Sequence, residues 1–237
     1  MKTKRSTLLF TGLIILSAML AVPARSLAGD PGFTDSFMLD KCVFESRGRN
    51  PYFVLEPGFQ LLFEGIEGKA FVRLQITVLN ETKTIAGVRT RVIEELETHD
   101  SQLVEISRNY FAICQQNGSV FYFGEDVDIY ENGAVVSHAS SWRAGVAGAR
   151  AGLFMPGLSL LGARYYQEVA PGVAQDRAEI LSLTEVVVTP AQTFENCLKT
   201  VETTPLEPAA KELKLYAPGI GLIQDGTLKL VWFSPGF

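Results

Sequence analysis

Histidine is almost missing from this chain. Among 237 residues only His99 and His138 occur. A serine or cysteine nucleophile needs a base within hydrogen-bond reach, and neither histidine has a recognisable partner in the sequence. The G-x-S-x-G elbow is missing too, because Gly157-Leu158-Ser159-Leu160 runs into Leu161 where a second glycine is required. Cysteine is equally sparse. Cys42, Cys114 and Cys197 form no C-x-x-C pair, so zinc and thioredoxin-like chemistry lack their ligand spacing. Pairing His138 with Cys114 or Cys197 gives a conceivable thiol site, but nothing local activates a thiolate. The glycines at 145, 148 and 152 fail as a phosphate loop, since Gly152 meets Leu153 where a lysine is needed. These absences leave no catalytic residue to nominate and no cofactor to expect.

Basic residues are in the minority, 21 against 26 acidic. Four of them, Lys2, Lys4, Arg5 and Arg25, lie in residues 1–28, which read as a secretory signal peptide. The positive start is followed by an apolar run, Leu8 to Leu20, too short for a comfortable span of about 20 residues. Ser26-Leu27-Ala28 supplies the small residues of a cleavage site, with cleavage after Ala24 as the second choice. The mature chain then keeps 17 basic and all 26 acidic residues over 209 positions, a net charge of about −9. Such a surface repels phosphate backbones, so nucleic acid is excluded as a partner. No later stretch is apolar enough for a helical transmembrane anchor. Export places the protein in the periplasm or outside the cell. That oxidising setting permits one disulfide among the three cysteines and leaves one thiol, with the pairing open.

Helical periodicity is also lacking beyond the leader. What is present is alternation. Val72, Leu74, Ile76 and Val78 share one side of a strand, and Arg73, Gln75 and Thr77 share the other. Val88 to Glu97 alternates likewise, with Arg89, Arg91, Glu95 and Glu97 on one side. Runs at 103–115, 119–123, 163–169, 175–188, 196–203, 211–216 and 227–233 continue the pattern. Glu67-Gly68, Ala86-Gly87, His99-Asp100, Asn117-Gly118, Asn132-Gly133 and Asp225-Gly226 fall between runs, where tight hairpins want them. The expected fold is all-β: an antiparallel meander forming a large curved sheet or open barrel over residues 29–237. A long glycine-rich connection from Arg143 to Gly157 crosses one end of the sheet. It could also divide two lobes near 142–162.

Two local features bear on ligands. Asp126 and Asp128 suggest calcium, but Tyr130 and Glu131 stand where an EF-hand loop needs an acidic or amide residue and a glycine. No metal is therefore assigned. Aromatic and apolar residues cluster at Phe121-Tyr122-Phe123, Trp142, Phe154-Met155 and Tyr165-Tyr166. Adjacent aromatics on a strand face opposite ways, so a second apolar face must be covered by the glycine-rich loop or by a ligand. The candidate ligand-binding residues are Trp142, Phe154, Met155, Tyr165 and Tyr166.

Four stretches carry a resemblance: Gly87-Val88-Arg89-Thr90-Arg91-Val92, Tyr122-Phe123-Gly124-Glu125-Asp126-Val127, Cys197-Leu198-Lys199-Thr200 with Thr204-Pro205-Leu206-Glu207-Pro208, and Tyr216-Ala217-Pro218-Gly219-Ile220-Gly221-Leu222. Together they resemble an uncharacterised family of exported bacterial β-rich proteins. That family is loosely similar to the curved-sheet fold of periplasmic lipoprotein carriers. The resemblance implies an exported β protein and supplies no catalytic residues. The expected function is a non-catalytic binding module for a lipid-like or other apolar or amphipathic ligand. The alternative is a structural or interaction component with an envelope protein partner, and a hydrolase ranks last.

Overall fold

Alternation carried through one hairpin after another leaves the apolar sides a single refuge, the inside of a curled sheet. The computed structural model describes residues 32–234. The leader read at residues 1–28 lies outside the described residues. Eighteen strands follow in order: β1 (Phe44–Glu45), β2 (Arg49–Asn50), β3 (Phe53–Val54), β4 (Gln60–Glu67), β5 (Ala70–Ile85), β6 (Val88–His99), β7 (Gln102–Cys114), β8 (Val120–Glu131), β9 (Ala134–Ser137), β10 (Trp142–Arg143), β11 (Arg150–Met155), β12 (Arg164–Tyr166), β13 (Glu168–Val169), β14 (Arg177–Val188), β15 (Thr193–Thr204), β16 (Glu207–Ala217), β17 (Gly221–Asp225) and β18 (Leu228–Phe233). Among the described residues no helix is long and apolar enough to cross a membrane.

The long strands form one antiparallel sheet whose hydrogen-bonded order is β12-β14-β15-β16-β17-β18-β4-β5-β6-β7-β8-β11-β13. The two ends of that path, β12 and β13, are consecutive in the chain and separated only by Gln167. The segment 164–169 therefore pairs with β14 through its first half and with β11 through its second. The curved sheet is thus nearly closed into a barrel. Hairpin chemistry drives this order. At Asn132-Gly133, φ is +51° and +79°, the pair of positive values a two-residue type I′ turn requires.

The glycine-rich segment differs from its expected role. Residues 150–155 are a barrel strand, β11, and only the turn at 145–149 and the stretch around Pro156 and Gly157 are connection. Alternation is weak there because Gly152 replaces a side chain. A Cβ at that position would strike the carbonyls of Tyr166 and Gln167, so glycine is what lets β11 approach the closing strand.

The second apolar face is covered mainly by the N-terminal strap, with Ala144, Gly145 and Ala149 of the glycine-rich segment lining the hollow beside Phe123. Phe121 and Phe123 point outward from β8, and the N-terminal strap lies over them. Phe37 and Phe44 meet Phe121 edge-on at 5.8 and 5.7 Å, and Phe44 meets Phe123 at 5.3 Å. Strand β1 adds to the end of β7, and a disulfide joins Cys42 to Cys114 there. Cys197 is the free, buried thiol.

The strap then enters the hairpin β2–β3, which stoppers one end of the barrel. Buried Asn50 donates from Nδ2 to the carbonyls of Gly118 and Pro156, at 2.8 and 3.0 Å. Gly219 N–H donates to the Pro51 carbonyl on another side of the same rim. Behind the hairpin, Leu55, Phe59 and Phe63 are buried with Ile180, Leu198 and Leu230. Each such side chain contributes about 1.5–3 kcal/mol by leaving water.

Candidate functional site

Register decides what the barrel encloses. Residues directly opposite on paired strands share a face. Val78, Ile76 and Leu74 of β5 oppose Ile93, Glu95 and Glu97 of β6. Those in turn oppose Asn109, Ser107 and Glu105 of β7, and Asn109 opposes Glu125 of β8. The row therefore runs apolar near the stoppered end and acidic toward the other. The charged side of β6 faces inward, against the usual rule for a half-buried strand. Arg91 belongs to that side too. It is buried near the stopper and donates to the carbonyls of Ser46, Leu79 and Glu81.

Inside lies a cavity of about 250 Å³. Phe53, Phe59, Phe111, Phe154, Ile220 and Leu222 form its apolar chamber beneath the stopper. A second cavity of about 150 Å³ shares Leu74, Glu95, Glu105 and Asp225 with the first and adds Glu67, Glu97 and Glu212 from the opposite, turn-lined end. The two make one lumen, oily at the closed end and acidic toward the other.

The acids divide into two sets. Lys214, on the inner face of β16, sits 3.1 Å from Glu202 and 3.3 Å from Asp225. Burial alone would lower the Lys214 pKa, but Glu202 and Asp225 hold it well above its usual range. The other set has no such partner. Among the described residues no cation forms an ion pair with Glu95, Glu105 or Glu125. Burial pushes Glu95 up to about 7, with Lys214 opposing the rise and neighbouring acids reinforcing it. Burial likewise pushes Glu125 up to about 8, the nearby Tyr122 hydroxyl opposing and Glu95 and Glu105 reinforcing, although that hydroxyl donates its proton to Asn109 Oδ1. Glu105, Glu168 and Asp176 are raised by burial as well.

The next residue on β8 shows what pairing does. Asp126 faces outward, where Tyr110 Oη donates to it at 2.5 Å, Lys83 lies at 3.1 Å, and Arg143 also contacts it. Burial would raise its pKa, but these three donors outweigh burial and lower it. Asp128 is likewise engaged, by His138 at 2.8 Å. The two carboxylates considered for calcium are therefore held by side chains of the protein. His99 contacts Glu97 at 2.6 Å.

The five aromatic and apolar candidates separate. Phe154 lines the cavity and packs on Phe53, Phe111 and Tyr122 at 5.3, 4.9 and 6.0 Å. Trp142 is buried edge-on to Tyr122 at 5.2 Å, behind the cavity wall. Met155 is fully buried opposite Val120. Tyr165 is 3% exposed and lies on the inner face, opposite Ala178 and in line with Glu202. Tyr166 turns outward to meet Phe33 at 6.2 Å. The acidic residues were missed. Their signal was there, in Glu95 and Glu97 two apart on one strand and Glu105 at the same height on the next. It looked like an ordinary solvated face.

No family model, curated protein or solved structure matches the chain.

Proposed function

We propose that this chain is an exported binding protein whose barrel interior takes up an amphipathic ligand, apolar end first. One observation carries the reading: the lumen of about 250 Å³ is oily at its stoppered end and polar toward the other. An apolar cavity of about 150 Å³ is enough for a benzene-sized group, so the chamber fits one short hydrocarbon arm or ring. Phe154, Phe111 and Phe53 form its wall, and the acidic groups beyond would meet the ligand's polar end. Two features support export to an oxidising compartment: the leader read at residues 1–28, and the Cys42–Cys114 disulfide. The test is native mass spectrometry of protein purified from its own cell envelope or culture medium. The expected result is a small mass retained in the native spectrum and released on denaturation. A ligand-free mass, together with no uptake of an alkylammonium, a fatty alcohol or a fatty acid, overturns the reading.

A further inference from the structure

Three separate observations concern what sits in the acidic half of the lumen. The first is an excess of carboxylates. Glu95, Glu105, Glu125, Glu168, Asp176, Glu202 and Asp225 all line the main cavity, and Lys214 is the one basic residue among its lining. Lys214 is taken up by Glu202 and Asp225. The second is a set of buried polar atoms with no hydrogen-bond partner. Among the described residues Tyr165 Oη is one, on a side chain only 3% exposed that lies on the inner face in line with Glu202. Thr200 Oγ1 is another, on a residue 1% exposed that opposes Lys214 in register. Asp225 gives one oxygen to Lys214 and leaves the other buried and unmatched. Buried polar atoms of this kind are normally satisfied. The third is the apolar chamber of Phe53, Phe111 and Phe154, which shares one cavity with Glu95, Glu105 and Glu125.

Resting on the lumen as the binding site, we infer that its ligand class is an organic cation: an amine or quaternary ammonium group carried on a short apolar arm. The arm fills the chamber between Phe53 and Phe154, and the cationic head sits among Glu95, Glu105 and Glu125. An anionic head would meet an excess of negative charge, and a neutral one would leave the carboxylates as they are.

Capture of such a cation is an exchange. In the empty lumen at about pH 7 Glu95 and Glu125 retain protons in part, and the arriving head replaces them. One bound cation therefore sends up to one proton per newly ionised carboxyl to solvent. Every wall contributes to that balance. Glu67 stands on β4, Glu95 and Glu97 on β6, Glu105 on β7, and Tyr122 and Glu125 on β8. Glu168 stands on β13, Asp176 just before β14, Glu202 on β15, Glu212, Lys214 and Tyr216 on β16, and Asp225 on β17. Tyr165 joins them from β12, and buried Arg91 lies behind the stopper end. Because the raised carboxyls must ionise, affinity for a permanent cation rises with pH between about pH 6 and about pH 9.

The test uses three matched probes on the full mature chain by calorimetry: hexyltrimethylammonium, hexanol and hexanoate. The ammonium is expected to bind at least about tenfold more tightly than either of the others at about pH 9, and to lose about tenfold at about pH 6. Proton release, read at about pH 7 from buffers of different ionisation enthalpy, should accompany binding there and fade at about pH 9, where the carboxyls are already ionised. The double variant Glu95→Gln, Glu125→Gln should weaken the ammonium at least about tenfold and hexanol by far less, and a cooperative urea transition checks that the variant is folded. If hexanol or hexanoate binds as tightly as the ammonium, the cation inference falls and the lumen remains a binding site. If none of the three binds, both readings fall.

Discussion

The two ends of the barrel are built on opposite principles. The stoppered end is held by contacts indifferent to pH: the Cys42–Cys114 disulfide, the paired hydrogen bonds of Asn50, and the aromatic packing of Phe53, Phe111 and Phe154. The other end gathers Glu67, Glu97, Glu105, Glu212 and Asp225 around a lumen with Lys214 as its cation. Apolar burial stabilises without needing a partner, whereas each buried carboxyl must find a cation or keep its proton. One end therefore supplies the stability that lets the other hold unpaired charge.

Breaking the charge balance gives the largest expected effect. Lys214→Met strands Glu202 and Asp225 and should cost about 3–5 kcal/mol in urea unfolding at about pH 8. The loss should shrink on acidification, as the stranded acids take up protons. A loss equal at about pH 8 and about pH 5.5 would show that Lys214 acts by packing alone.

Removing the staple comes next. Cys42→Ser with Cys114→Ser opens a link across 72 residues and should cost about 2–4 kcal/mol. Here the loss should be the same at both pH values. A pH-dependent loss would mean that the two ends are coupled.

The third effect is a slope in the unmodified protein. Glu95 and Glu125 lie at about 7 and about 8 when folded, against an ordinary 4.5. The folded chain thus holds protons that the unfolded chain has released. Stability should fall as pH rises from about 4.5 through about 8 and level off above. Glu95→Gln with Glu125→Gln should flatten that slope, as measured by urea midpoints across the range.

The smallest effect belongs to the outer wall of the same end. Arg73 pairs with Glu64 at 2.5 Å, but its side chain is half exposed. Arg73→Ala should change stability by less than about 1 kcal/mol. A larger loss would erase the distinction between inner and outer charge.

Fold class was legible because it rests on local rules. Period-two runs separated by Gly-containing turns dictate hairpins, and adjacent hairpins dictate an antiparallel meander. Most turns fell within a residue of their expected place; the one expected at His99-Asp100 is centred on Asp100-Ser101. The site was not legible for the same reason. Alternation shows that Glu95 and Glu97 share a side but not which side is enclosed, and that depends on how the far ends of the sheet meet. β11 was read as connection because Gly152, required by close backbone approach, removes the residue that would have marked its period. The cover over Phe121 and Phe123 came from the strap at 37–44, some 80 residues away in sequence. No pattern within the strand could point to it.

The joint at Gln167 has a mechanical consequence. A ring of strands opens at its shortest ladder. β5 and β6 share eleven opposed residue pairs, whereas β12 meets β14 through three and β13 meets β11 through two; β17 and β18 also share only two, but the turn at Gly226 joins them covalently. Local opening needs only the free energy of the contacts it breaks, so the barrel's girth is set at this seam. Parting it would widen the circumference by about one strand spacing of 4.8 Å while every long ladder stays intact. Thr34, bonded to Arg164 and Tyr166 of β12, and its neighbour Asp35, paired with Arg150 of β11 at 3.1 Å, together tie the two sides of the seam.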